Sequence, residues 1–200
     1  MTYVAKPEMA CDASTVKNDA FLLEQATIKD STQLIGNGRM FGNATATGKS
    51  KIEGWVYDHS SVNDATIEPT GRVFGWAAVI EATVAGVVRD RASVHIAFVP
   101  KSTTIGGYAQ IAGVFDVPHE ATIVGDAAVT AEDHVMVERV SPTRVVTFYR
   151  SIRHGLECCD VTDGRIAYSG PLDGFGGESP GPLERSLATK ARNAIEAGTP

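Results

Sequence analysis

Leu34 to Ile52 reads LIGNGRMFGNATATGKSKI, and within it Leu34, Met40, Ala46 and Ile52 recur every six residues. Ile28 starts the beat, Ile67, Val73 and Val79 carry it on, and Ile105, Ile111, Val117, Ile123, Val129 and Val135 resume it. Two residues before most of these positions stands a small residue: Ala26, Gly38, Ala44, Ser50, Ala65, Gly71, Ala77, Ala109, Ala121 or Ala127. Two residues after, a glycine is frequent: Gly36, Gly42, Gly48, Gly54, Gly75, Gly86, Gly107, Gly113 and Gly125. A helix turning every 3.6 residues would scatter these positions around its axis. A coiled ribbon of very short strands, turning a corner at each step, keeps them all inside.

The chemistry of each step fits that ribbon. Alternate side chains of a strand face alternate sides, so residues i−2 and i point the same way, one small and one aliphatic. Such a pair fills a narrow triangular bore. Glycine at i+2 supplies a corner that a Cβ would obstruct. Three steps make one coil, and coils stack as parallel strands roughly 4.8 Å apart. A sandwich of regular hairpins would place its strands every ~8–12 residues instead.

The beat slips twice, in matching segments. Residues 52–62 (IEGWVYDHSSV) and 84–94 (VAGVVRDRASV) share Gly, Val, Asp, Ser and Val in place. Each is either one step with a protruding loop, or two steps, through Val56 and Val88, with one shortened corner. The second reading supplies a small and aliphatic pair at Gly54–Val56 and Gly86–Val88. It puts Met40, Val56, Val73, Val88, Ile105 and Ile123 on one face. The third residue after each is then Asn43, His59, Trp76, Arg91, Tyr108 or Asp126. The first residue after each is Phe41, Tyr57, Phe74, Arg89, Gly106 or Val124. Aromatics and arginines thus collect in columns, with Tyr57, His59, Phe74, Trp76, Arg89, Arg91 and Tyr108 as candidate ligand-binding residues. Rings beside guanidinium groups suit a flat anion, through base stacking of ~1–3 kcal/mol and charge-assisted hydrogen bonds of about 1.5–3 kcal/mol. An aromatic-rich face is equally what a subunit interface looks like.

Composition narrows the classes. The chain has 200 residues and a net charge of −6, which argues against wrapping long nucleic acid. A small anionic ligand in a local basic pocket is not excluded. No apolar run is long enough for a membrane span and the N-terminus lacks a basic-then-apolar leader, so a cytoplasmic protein is expected. Three cysteines, with Cys158 and Cys159 adjacent, make a poor disulfide framework and no zinc-site spacing. No metal, cofactor or nucleophile–base pair is apparent, and the enzyme reading is the less favoured one.

The expected organisation is an N-terminal arm or cap over 1–25, a repeat domain of about six coils over 26–137, and a C-terminal unit over 138–200. In the last, 143–151, 156–161 and 165–169 read as a three-stranded meander, with a tight hairpin at Asp163–Gly164. Pro182 opens a helix that carries Leu183, Leu187, Ala191 and Ile195 at i, i+4, i+8 and i+12, with Gly198 as its stop. Meander and helix would cap the open end of the repeat. Arg144, Arg150, Arg153 and His154 form a second candidate anion patch, or simply solvated strand edges.

Ile35-Gly36-Asn37-Gly38, Phe41-Gly42-Asn43-Ala44 and Val124-Gly125-Asp126-Ala127 resemble the Gly-Asn/Asp-Ala steps of hexapeptide-repeat, left-handed parallel β-helix proteins. The resemblance covers 26–137 and implies an all-β, left-handed coil and a homotrimer. The family includes acyltransferases and γ-class carbonic anhydrases. The latter need two histidines five residues apart, a spacing that His59, His95, His119, His134 and His154 do not offer. The chain also resembles phage-encoded members that sequester cyclic oligonucleotide signals without cleaving them. That likeness implies a non-catalytic nucleotide sponge acting in a host cytoplasm. The alternative is an acyltransferase using an acyl-coenzyme A donor, with His59, His95 or His119 as base.

Overall fold

A computed structural model describes residues 3–4 and 9–196. Most of the chain is a parallel β-solenoid of about seven coils, closed by a four-stranded antiparallel sheet and one helix. Its strands are mostly two residues long, because a corner follows each one. Three parallel sheets result. The first has Leu22, Met40, Val56, Val73, Val88, Ile105 and Ile123 inward; the second Ile28, Ala46, Val62, Val79, Val94, Ile111 and Val129; the third Val16, Leu34, Ile52, Ile67, Val84 and Val99. All but half-buried Val16 are buried, as are the small residues at the preceding corners. Burying a Val or Ile side chain stabilises by about 1.5–3 kcal/mol, so each coil adds its own share of core.

The two slips are shortened corners. Ile52 pairs with Ile67 on the third sheet while Val56 pairs with Val73 on the first. Gly54 and Gly86 make this possible by close packing. A Cβ on Gly54 would lie 2.3 Å from the Gly71 carbonyl, and one on Gly86 2.3 Å from that of Pro100.

The corner after the first sheet has a different device. Gly42, Gly75 and Gly107 turn it with φ of 73°, 74° and 66°, and in the coils between them Asp58 and Asp90 turn it with φ of 62° and 63°. Each acid accepts a hydrogen bond from the glycine N–H of the next coil: Glu24 from Gly42 (2.7 Å), Asp58 from Gly75 (3.1 Å) and Asp90 from Gly107 (3.0 Å). Aspartate is among the few residues that tolerate this left-handed backbone, because its short side chain bonds locally.

Both ends of the repeat depart from the expected boundaries. The coil begins inside the segment assigned to an arm: Tyr3–Val4 pairs with Phe21–Leu22, and Thr15–Val16 with Gln33–Leu34. The polar steps there hid the beat. At the other end, Val135 is not a final step. It begins the strand Val135–Ser141, which pairs antiparallel with Arg144–Ser151, so the expected three-stranded meander has four strands. Gly155–Thr162 and Arg165–Pro171 complete the sheet, with Asp163 and Gly164 at φ of 50° and 73° in the hairpin.

This sheet closes the solenoid by strict alternation. Thr147, Tyr149 and Cys159 face the last coil, and Tyr149 and Cys159 join its core. The Thr147 hydroxyl accepts the Thr122 N–H (2.9 Å), and the Asp126 carbonyl accepts the Ile152 N–H (3.1 Å), so exposed coil edges find partners. Val146, Phe148, Leu156 and Cys158 face the other way and pack on Leu187, Ala191 and Ile195 of the helix Pro182–Glu196. Leu183, expected on the same stripe, is exposed. Gly198 lies outside the described residues. Among the described residues, no helix is long and apolar enough to cross a membrane.

Candidate functional site

The outward surface of the first sheet is a ladder of rings and guanidinium groups. One column follows the inward residues: Phe41, Tyr57 and Phe74 stack with centroids 4.8 Å apart and planes within 7° and 4° of parallel. That separation is the coil spacing itself, so register alone brings the rings into contact. At the corner, His59 stacks on Trp76 (4.2 Å, 8°), and the Arg91 guanidinium lies 5.8 Å from the centre of the Tyr108 ring. Trp76 and Tyr108 remain 61% and 59% exposed, so both keep surface for a partner.

A third column was missed by reading only the residues that follow each inward position. Phe21, Arg39, Trp55 and Arg72 immediately precede Leu22, Met40, Val56 and Val73. Arg39 stands over Phe21 (5.4 Å) and over Trp55 (5.1 Å), and Arg72 covers Trp55 from the other side (5.2 Å). The signal was in the sequence, one residue before each first-sheet position.

The electrostatics of this face run against the net charge. Among the described residues, Arg39, Arg72 and Arg91 have no carboxylate within ion-pair distance, and Arg89 has only Asp90, at 3.8 Å. The corner acids Asp58 and Asp90 are turned instead to backbone N–H groups. Arg39 and Arg72 therefore carry free N–H donors, while stacking on Trp55 limits their motion; such cation–π contacts are worth ~0.5–1 kcal/mol at exposed sites. Tyr57 has both ring faces covered by Phe41 and Phe74, so it offers an edge and a hydroxyl rather than a stacking platform. Burial first, and the Asp58 charge second, push that hydroxyl above the ordinary phenol range against the pull of Arg72, which keeps it a neutral donor.

Arg144, Arg150, Arg153 and His154 do not form one patch. Arg144 stands opposite Thr162 and Arg150 opposite Leu156, at the two ends of their strands. Arg144 is bound to Asp160 (2.7 Å) and to Glu184 of the helix (3.2 Å); Arg150 donates to the Ile195 carbonyl (3.0 Å); Arg153 pairs with Asp126 (3.0 Å). His154 lies 4.0 Å from the buried Glu157. Arg144 and Arg150 thereby tie the cap's sheet to its helix.

Among the described residues, no group of three or more His, Cys, Asp or Glu side chains is placed to hold a metal ion. His134 accepts the Thr130 N–H at 3.2 Å, and burial together with Arg150 pulls its pKa below the usual histidine range. Comparison of the chain with family models, with curated proteins and with solved structures gives no match in any of the three.

Proposed function

We propose that this chain binds a small anionic nucleotide of the cyclic oligonucleotide type and sequesters it without chemistry, as a phage-encoded sponge that counters a host's signalling defence. The observation that carries the reading is the Arg39–Trp55–Arg72 stack beside Trp76, Arg91 and Tyr108. Guanidinium groups that lack carboxylate partners among the described residues and are held over rings are pre-organised for phosphate oxygens, and exposed Trp76 and Tyr108 suit bases. The ladder is flat, so a homotrimer, as the resemblance implies, would supply the opposing wall.

Calorimetry with a panel of cyclic di- and trinucleotides tests this. At least one should bind, and Trp76→Ala or Arg91→Ala should weaken it by about 1–3 kcal/mol, roughly five- to 150-fold. Binding by none of the panel, or unchanged binding in both variants, sinks the proposal. In the acyltransferase alternative, acetyl-coenzyme A should raise the melting temperature by linkage; in the sponge reading it should not.

A further inference from the structure

Above Phe74 and Arg72 the two columns that flank the inward residues carry no further rings. Val87, Thr104 and Thr122 continue one column, and Arg89, Gly106 and Val124 continue the other. The C-terminal sheet overhangs this step. Together they enclose a groove with Ser102, Thr104 and Thr122 along its floor, Arg89 and Arg139 at its sides, and Val161 and Ile166 in its roof. Arg89 stands one coil beyond Phe74 and Arg72, Thr104 two coils and Thr122 three.

The groove is polar below, with Arg89 at one flank and the Arg139–Glu120 pair at the other. Gly106 lets Arg89 lie across it: a Cβ there would come within 3.2 Å of the Arg89 Cγ and 3.3 Å of its Nε. Arg89 is thereby directed up the face toward the cap, with Asp90 as its one distant carboxylate. That carboxylate already accepts the Gly107 N–H. Arg139 is fixed by two bonds to Glu120, one of them Nε to Oε2 at 3.1 Å, and by a bond to the Pro142 carbonyl (3.1 Å). Ser102 accepts the Glu120 N–H at 3.0 Å, which leaves its hydroxyl proton to donate; among the described residues the hydroxyls of Thr104 and Thr122 have no partner. Glu120 offsets Arg139, whereas Asp90 approaches Arg89 only to 3.8 Å and is engaged with the Gly107 N–H, so Arg89 and three hydroxyl donors leave the groove suited to an anion rich in acceptor oxygens.

We infer that this groove is a phosphate seat, in which Arg89, Thr104 and Thr122 bind the phosphate group of a ligand whose bases extend down the ladder. The inference rests on the nucleotide reading for the identity of the ligand, but not for the seat itself. A phosphate held between Arg89 and the threonine hydroxyls stands one to three coils above Phe74 and Arg72. It would therefore anchor one end of the ligand and set its register on the rings.

Titration with inorganic pyrophosphate at low ionic strength, followed by calorimetry, isolates the seat from the ladder. The wild-type protein should bind it. Arg89→Gln and Thr104→Val should each weaken binding at least fivefold while melting at the wild-type temperature, and Trp76→Ala should leave it within twofold. No binding by the wild type, or equal binding by Arg89→Gln and Thr104→Val, overturns the seat. So does a loss in Arg72→Gln that Arg89→Gln does not share, since it would place the anion on the ladder. A parallel titration with cyclic di-AMP and cyclic tri-AMP separates the two ideas. Pyrophosphate bound in the groove, with no cyclic nucleotide bound, keeps the seat and removes the sponge reading. Cyclic nucleotide bound equally by wild type and Arg89→Gln removes the seat and keeps the ladder.

Discussion

Replacing Gly42 by alanine should destabilise the solenoid far more than the same change at Gly36, six residues earlier. Both glycines turn corners in the left-handed region, at φ of 73° and 64°, so both substitutions incur the ~1–2 kcal/mol cost of placing an L-residue there. What differs is the space beyond the Cβ. At Gly36 the nearest atom is an oxygen of the flexible Glu53 side chain, 4.0 Å away. At Gly42 the Cβ would meet the Asp58 carbonyl oxygen at 2.8 Å, its nitrogen at 2.9 Å and its Cα at 3.0 Å, all backbone of the next coil. That coil cannot retreat without breaking the bond from the Asn43 N–H to the Asp58 carbonyl (2.6 Å). Overpacking of this kind costs about 1–3 kcal/mol. The expectation is a loss of ~1–2 kcal/mol for Gly36→Ala and of ~2–5 kcal/mol for Gly42→Ala. Urea denaturation followed by circular dichroism reads both as a shift in midpoint, provided the slope stays constant. Because coils can unfold in part, native-state hydrogen exchange at the N–H groups of Phe41 and Tyr57 gives the local value. Equal losses in the two variants would refute the close-packed corner, and with it the account of why glycine alternates with acid along that edge.

Two further outcomes follow from the cap. Arg144→Met should cost about 3 kcal/mol, because it leaves the buried Asp160 carboxylate without its partner; a loss under ~1 kcal/mol in thermal unfolding would mean the pair behaves as a surface one. Cys158 and Cys159 are fully buried, and burial above all pushes each thiol up to about 12. Unfolded thiols ionise near 9.0, so this contribution is complete below pH 9 and declines as pH rises toward 12, by about 1.4 kcal/mol per pH unit for each thiol. Comparing stability between pH 8 and 10 in wild type and in a Cys158→Ala, Cys159→Ala variant checks the sign; a wild-type curve no steeper than the variant's would contradict it.

How far the sequence reaches is visible in particular residues. The step of six, with a small residue before and glycine after, specifies the solenoid because each step is a local rule: Ala44–Ala46–Gly48 needs nothing distant to declare which side chain is inside. The same locality favoured the two-step reading of the slips, since Gly54–Val56 and Gly86–Val88 already contain an inward pair, and the strand pairing of Val56 with Val73 decided it. The first face was therefore countable in advance, and the columns through Tyr57 and Trp76 with it. The N-terminal coil was not, because Thr15–Val16 and Phe21–Leu22 are flanked by Asp12, Asn18 and Glu24 at corners where glycine was the expected sign.

The sequence by itself determined the coil and the six-residue step within its regular stretches, because both follow from a periodicity carried residue by residue; the pairing between coils decided the register across the two slips. Only the tertiary structure decided which of those side chains are free to act. It covers both faces of Tyr57 with neighbouring rings and, among the described residues, leaves Arg39 and Arg72 without carboxylates. It also commits Arg144 to Asp160 and Glu184, and sets the C-terminal sheet over Thr104 and Thr122 to make a groove. Contacts between coils and with the cap join residues far apart in the chain, and nothing in a six-residue repeat encodes those partners.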